Sequence, residues 1–239
     1  MNGTRHHVPA FVAAALLAGV TPGAAGQFGI ELQGGYFDVA ASKSAQALFG
    51  SSGGATFGAA ARWAFGRGGR GLFVEAGART FSKEGERVFV ASPSAAVAKL
   101  GFPVSIRITP IFANVGYRFR IGKTAFTPYV GLGGSLTSFR EESDVAGEAL
   151  EESRSKAGFQ GLGGVEYGRG LLRLGAEVVY STVPDAVGLA GVSKVYGEDD
   201  IGGLSLLGKV AFVFGGRGPA TRGPSRRAAL RSPASSPGP

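Results

Sequence analysis

The sequence predicts an all-β fold: an eight-stranded antiparallel up-and-down transmembrane β-barrel with an N-terminal signal peptide and a disordered C-terminal tail. Three observations predict it. Apolar and polar residues alternate with period two through long stretches, most plainly in YRFRIGKTAFTPYVGLGGSL at 117–136, and two is the strand period. The apolar face of that alternation carries no charge, while the other face holds small residues, Thr and a few Arg. That is the inverse of a soluble sheet, and it suits a narrow barrel whose outside meets lipid. Short and long connections also alternate strictly along the chain, as in a sheet threaded up and down through a membrane.

Composition agrees. The chain has 239 residues with Gly 42, aromatics at 10% and a single Met, a glycine- and aromatic-rich usage that favours a barrel over helices. Cys 0 excludes disulfides, thiolate metal sites and cysteine nucleophiles. The net charge of +8 belongs to the ends. Arg5 lies in the signal, and Arg217, Arg222, Arg226, Arg227 and Arg231 lie in the tail, which leaves 27–214 nearly neutral. The high pI therefore does not indicate a nucleic-acid partner.

In chain order, residues 1–26 read as a secretory signal, with basic Arg5, His6 and His7, an apolar run at 8–20, and small residues Ala24, Ala25 and Gly26 for cleavage. The apolar run is too short to span about 30 Å of hydrocarbon as a helix. The barrel occupies 27–214, with strands at 28–38, 54–65, 71–82, 104–121, 125–139, 154–168, 171–182 and 203–214. Most exceed the usual five or six residues and suffice for a tilted membrane strand of about 9–11. Tight turns are expected at 67–70, 122–123 and 169–170, with long polar loops at 39–53, 83–103, 140–153 and 183–202. The even strand count puts both termini on the short-turn rim, which in such barrels is periplasmic. Residues 215–239, rich in Gly, Pro, Ser and Arg without periodicity, read as disordered.

Register can also be read. A two-residue turn at Gly122-Lys123 sets Phe119 opposite Phe126, Arg118 opposite Thr127, and Gly116 opposite Tyr129. A two-residue turn at Arg169-Gly170 sets Glu166 opposite Arg173, and a four-residue turn sets Arg62 opposite Glu75. In the fourth strand Ile106 and Ile108 share parity with Gly116 and Arg118, so a bulge near Pro110 is expected to change the phase.

The inward face carries Glu31, Arg62, Glu75, Arg79, Arg118, Lys156, Glu166, Arg173, Glu177 and Lys209. These read as a structural ion-pair network in a lumen just wide enough for side chains, with a selectivity ring or proton path as the alternative. The repeated Gly-Leu-Gly-Gly at 131–134 and 161–164 lies within strands without a following helix or Lys-Ser/Thr. It therefore reads as close packing, not a phosphate loop. The acidic run 141–152 lacks the ligand spacing and turn glycine of a calcium loop and reads as solvated.

The eight-strand meander, the run Phe126-Thr-Pro-Tyr-Val-Gly-Leu-Gly-Gly and the closing Phe212-Val-Phe214 resemble the bacterial outer-membrane β-barrel family of the OmpA/OmpX type, over about 28–214. The resemblance implies an outer-membrane location, with membrane lipid and lipopolysaccharide as surroundings. It also implies that Phe212 and Phe214, with Gly208 near the usual glycine position now held by Lys209, are read by the barrel-assembly machinery. Enzymatic barrels of this size use a histidine beside a serine, whereas His6 and His7 both leave with the signal. A non-enzymatic structural or surface-interaction role, without cofactor or metal and with any ligand met by the long loops, is the expectation. A small channel for apolar or small polar solutes and a soluble lipocalin-like barrel are the alternatives.

Overall fold

Alternating residues become eight strands that close on themselves. The computed structural model describes residues 26–66, 70–91, 96–119, 121–122, 124–145, 148–188 and 191–215. The strands are β1 (Gly26–Val39), β2 (Gly53–Phe65), β3 (Gly71–Ala91), β4 (Ala96–Arg118), β5 (Phe126–Val145), β6 (Glu148–Tyr167), β7 (Leu172–Thr182) and β8 (Gly203–Phe214), with helices α1 (Ser42–Phe49) and α2 (Gly191–Tyr196). Every strand is antiparallel to its sequence neighbours, and β1 pairs with β8 from Phe28↔Phe214 to Val39↔Gly203. Closure removes the edges that would leave backbone groups unpaired in hydrocarbon. Of the signal and tail segments, only Gly26, which opens β1, and Gly215 fall among the described residues.

The outer surface is an apolar belt. Leu132 is 67% exposed and Phe159 72%, with Leu32, Phe57, Val130, Leu174 and Leu206 also largely exposed. Aromatic side chains gather at the tight-turn end, where Phe28 meets Trp63 at 6.1 Å between centroids, Tyr117 meets Phe119 at 5.0 Å and Phe126 meets Tyr167 at 4.9 Å. An exposed apolar belt with an aromatic girdle is a surface built for lipid. It rules out the soluble lipocalin-like alternative, which needs the reverse arrangement.

Two hairpins are paired differently from the two-residue-turn expectation. In β4–β5, Arg118 faces Tyr129 and Gly116 faces Gly131, a shift of two residues. The last ladder bond runs from Phe119 N to Pro128 O (2.8 Å), and Thr124 closes a wider turn by donating from N and Oγ1 to Ile121 O. Glu166 likewise faces Gly175 instead of Arg173. A shift of two preserves which face each side chain takes, so the inside and outside assignments survive. Gly116 is covered by a ring, but that ring is Phe73: a Cβ on Gly116 would lie 2.4 Å from Phe73 Cζ.

The expected slip at Pro110 does not occur. β3 and β4 keep one register from Ala78↔Ile111 to Phe81↔Ile108, and among the described residues the shift in this ladder lies between Glu86 and Val88. Ile106 and Ile108 face inward and are buried. The lumen is polar low in the barrel and apolar near its loop end, so parity was right and the assumed polarity of the inner face was not.

The long connections are also more ordered than a polar-loop reading implies. Segments 83–103 and 140–153 are mostly strand, carrying β3–β4 and β5–β6 beyond the belt as tall hairpins. Segments 39–53 and 183–202 hold α1 and α2. These two fold inward as a cap, where Phe37, Val39, Ala45, Phe81, Ile108, Phe139, Val183 and Ile201 form one buried apolar cluster.

Candidate functional site

The barrel interior is built in layers. At its centre Arg62, on β2, faces Glu75 across the β2–β3 ladder and is hydrogen-bonded to it. Its guanidinium also meets Glu31 at 3.1 Å and Glu177 at 3.9 Å and donates to Glu166. The same group lies 4.7 Å from the ring centres of both Phe73 and Tyr129. Lys209 Nζ, from β8, sits 2.6 Å from Glu31, 2.9 Å from Glu177 and 3.7 Å from Glu75. Tyr129 donates its hydroxyl to Glu177 (2.9 Å).

Toward the turn end, Arg118 donates to Glu166, and Arg173 approaches the same carboxylate at 3.4 Å while donating to Gln27 (2.6 Å). Glu166 and Arg173 thus meet diagonally, without being direct cross-strand partners. Among the described residues, four carboxylates and four cations (Arg62, Lys209, Arg118 and Arg173) neutralise one another within the buried lumen. In so low a dielectric an unmatched charge would cost far more than a matched one.

Arg79 stands apart. It donates to Gln160 (2.7 Å) and lies 4.5 Å over Phe112, while Gln160 donates to Asn114 and Asn114 to Glu75. Lys156 shares the inward parity but is only half-buried and faces Thr137 higher in the barrel, away from the charged centre. Above Arg79, Thr56, Ser135, Thr137 and Ser205 surround a void of about 30 Å³, room for a water or two. The apolar cap cluster seals the lumen above it.

The cap is held by carboxylates from the segment before β8. Glu198 accepts hydrogen bonds from Lys43 N (3.0 Å), Ser44 N (2.8 Å) and Ser44 Oγ (2.6 Å), supplying the N-terminal cap that α1 lacks from its own sequence. Asp200 accepts from Thr182 Oγ1, Val183 N and Gly202 N at 2.5–2.6 Å. On the neighbouring wall, Lys83 donates to Ser51 O and Gly53 O. Sequence reading passed over Glu198 and Asp200 as polar loop residues. The acidic run before Gly202-Gly203 was their only trace, because a cap supplied from 154 residues away has no local signature. Phe212 and Phe214 lie on the outer surface of β8, and Gly208 faces outward opposite Gly34.

These features define a class: an eight-stranded barrel of the outer-membrane type, with a charged, filled lumen and an apolar outside. Comparison with known proteins agrees at the level of fold. No protein-family model and no curated protein matches the chain. Among solved structures, it is similar to Neisserial surface protein A, with 16% identity over 78% of this chain and 97% of that one at a TM-score of 0.50. It is also similar to a major outer membrane protein from Thermus thermophilus, with 13% identity over 80% and 100% at a TM-score of 0.54. The architecture is that of the OmpA/OmpX-type outer-membrane barrels.

Proposed function

We propose that the protein is a non-conducting barrel of the bacterial outer membrane, with the turn end in the periplasm and the cap and two tall hairpins outside the cell. Its role is structural and recognitive, not catalytic. One observation carries the reading: among the described residues the lumen is closed twice, by the charge-paired centre around Arg62 and by the apolar cluster under α1, with a void of about 30 Å³ between them. A sealed barrel offers a solute no path, which leaves the surfaces beyond the belt as the place for interaction. Phe212 and Phe214, exposed at the closing strand's end, are suitably placed for recognition by the assembly machinery.

The test is planar-bilayer recording of the refolded protein, joined to cysteine labelling in whole cells, for which Cys 0 is a clean background. The protein is expected to give no stable current steps. Phe89→Cys and Leu150→Cys are expected to react with a membrane-impermeant maleimide on intact cells, and Leu171→Cys only after the outer membrane is opened. Ion-selective steps altered by Arg79→Ala or Arg118→Ala would establish the channel alternative instead. The reverse labelling pattern would overturn the orientation.

A further inference from the structure

Above the belt the fold frames a second space, on the other side of Ile108 and Ile201 from the lumen void. Its floor is the top of the cap cluster, including Ile108 and Phe139. Its walls are Leu48 and Phe49 of α1 and Val192 of α2, with Leu100 of β4 opposite. Its volume is about 340 Å³, within the range of small-molecule sites, which are mostly apolar with a few placed polar groups. Those groups are at the rim. Arg87 approaches Glu141 at 3.9 Å, and Glu152, the direct cross-strand partner of Glu141, is paired with Arg154.

The pocket is not a gap that the protein is free to close. Glu198 fixes the start of α1 by three hydrogen bonds, and Gly50, in the left-handed conformation at φ 75°, ends the helix. Lys83 ties the loop after α1 to β3. The end of α1 packs on β3, where a Cβ on Gly85 would lie 2.2 Å from Leu48 O, so the helix is held at both ends and the pocket lies beside that contact. The apolar part of the lining forgoes contacts where it faces solvent, so an occupant with a matching apolar body gains burial there.

From this geometry we infer that the pocket binds a single-chain amphiphile with a zwitterionic head. Its chain would lie against Leu48, Phe49 and Val192, with its cationic group toward Glu141 and Glu152 and its anionic group toward Arg87. The volume, about 340 Å³, is that of a single chain. The rim presents both signs of charge, matching a head that carries both. Burial raises the Glu141 carboxyl above its ordinary range, with Arg87 opposing, so a cationic group beside it would be met by a carboxylate that gains from the pairing. Ile108 and Ile201 lie between the pocket and the lumen void and line both, and the inference stands whether or not the protein has a separate surface partner.

The experiment uses the full barrel in phosphatidylcholine nanodiscs with a lysophosphatidylcholine that carries a diazirine in its chain. Photolabelling is expected to saturate on segments 41–49 and 187–193 and to fall when unlabelled lysophosphatidylcholine competes, while label on belt residues such as Leu132 keeps rising with probe. Leu48→Trp, which fills the pocket, should cut the saturable labelling roughly tenfold or more, with folding checked by heat-dependent gel migration. Because that substitution could disturb the cap, competition on the unaltered protein is an independent arm. Label confined to the belt and proportional to probe, or pocket label indifferent to the competitor, would overturn the inference. Labelling that dodecanoic acid blocks as well as the zwitterion does would overturn the head-group assignment.

Discussion

Tyr129 lies against Gly164, its direct cross-strand partner, and carries its hydroxyl on to Glu177. A Cβ built on Gly164 would stand 2.5 Å from the Tyr129 hydroxyl oxygen and 2.5 Å from Ala176 O. Gly164→Ala must displace the ring that covers both this glycine and one side of Arg62. Overpacking of this kind costs about 1–3 kcal/mol, and that loss is expected in urea unfolding of the bilayer-reconstituted protein. Gly161, three residues away, has no atom within 4 Å of an added methyl. Gly161→Ala should therefore leave the midpoint unchanged, and equal losses at the two positions would refute the packing account.

Arg62 serves carboxylates on four strands. Replacing it with Met leaves them buried without their shared cation, which is expected to destabilise the barrel by about 3–5 kcal/mol. Adding Glu75→Gln should restore part of that loss, because the two side chains share one network. Tryptophan fluorescence during unfolding, read from Trp63 beside the girdle, measures both variants. Strictly additive effects would show that Arg62 and Glu75 act independently.

The two tall hairpins should respond to pH in opposite senses. Glu86 accepts from Lys99 (3.1 Å) and from Gly101 N (2.8 Å), which holds its carboxyl below the ordinary glutamate range. A depressed folded-state pKa gives stability that is present above the ordinary value of about 4.3 and lost as pH falls through the folded value. Glu141 is raised by burial, more than Arg87 lowers it. Its hairpin is favoured below the ordinary value and loses stability as pH rises through the raised one. Amide protection, corrected for intrinsic exchange, should thus fall toward acid pH around Gly101 and toward neutral pH around residues 139–143. Glu86→Gln and Glu141→Gln should each flatten their own profile. Parallel profiles in the two hairpins would contradict the assignment.

Much of this architecture was legible in the chain because it rests on parity. Leu32, Val130 and Leu206 on the outside, and Glu31, Arg62 and Lys209 on the inside, follow from period two alone. Parity also tolerates the two-residue register error at Thr124, which leaves every side chain on its own face. It is silent about how far strands rise beyond a membrane, so polar outer residues made 83–103 and 140–153 look like loops. It also misled at Ile106 and Ile108, where a rule that the interior is polar met a lumen that turns apolar beneath a cap. The hold of Glu198 on α1 depends on contacts between segments far apart in the chain, and no local pattern encodes it.

The contact between Glu31 and Lys209 spans the seam where the first strand meets the last. Their attraction is therefore available only once the first and last strands have met. A sheet that has laid down seven strands still holds Glu31 and Glu177 without their ammonium, and only the arrival of β8 delivers it. Pairs between neighbouring strands, such as Arg62 with Glu31 and Glu75, are open to a partial sheet, whereas the contact of Lys209 with Glu31 needs the closed ring. The last strand thus brings in the cation that links the inner faces of β1 and β7.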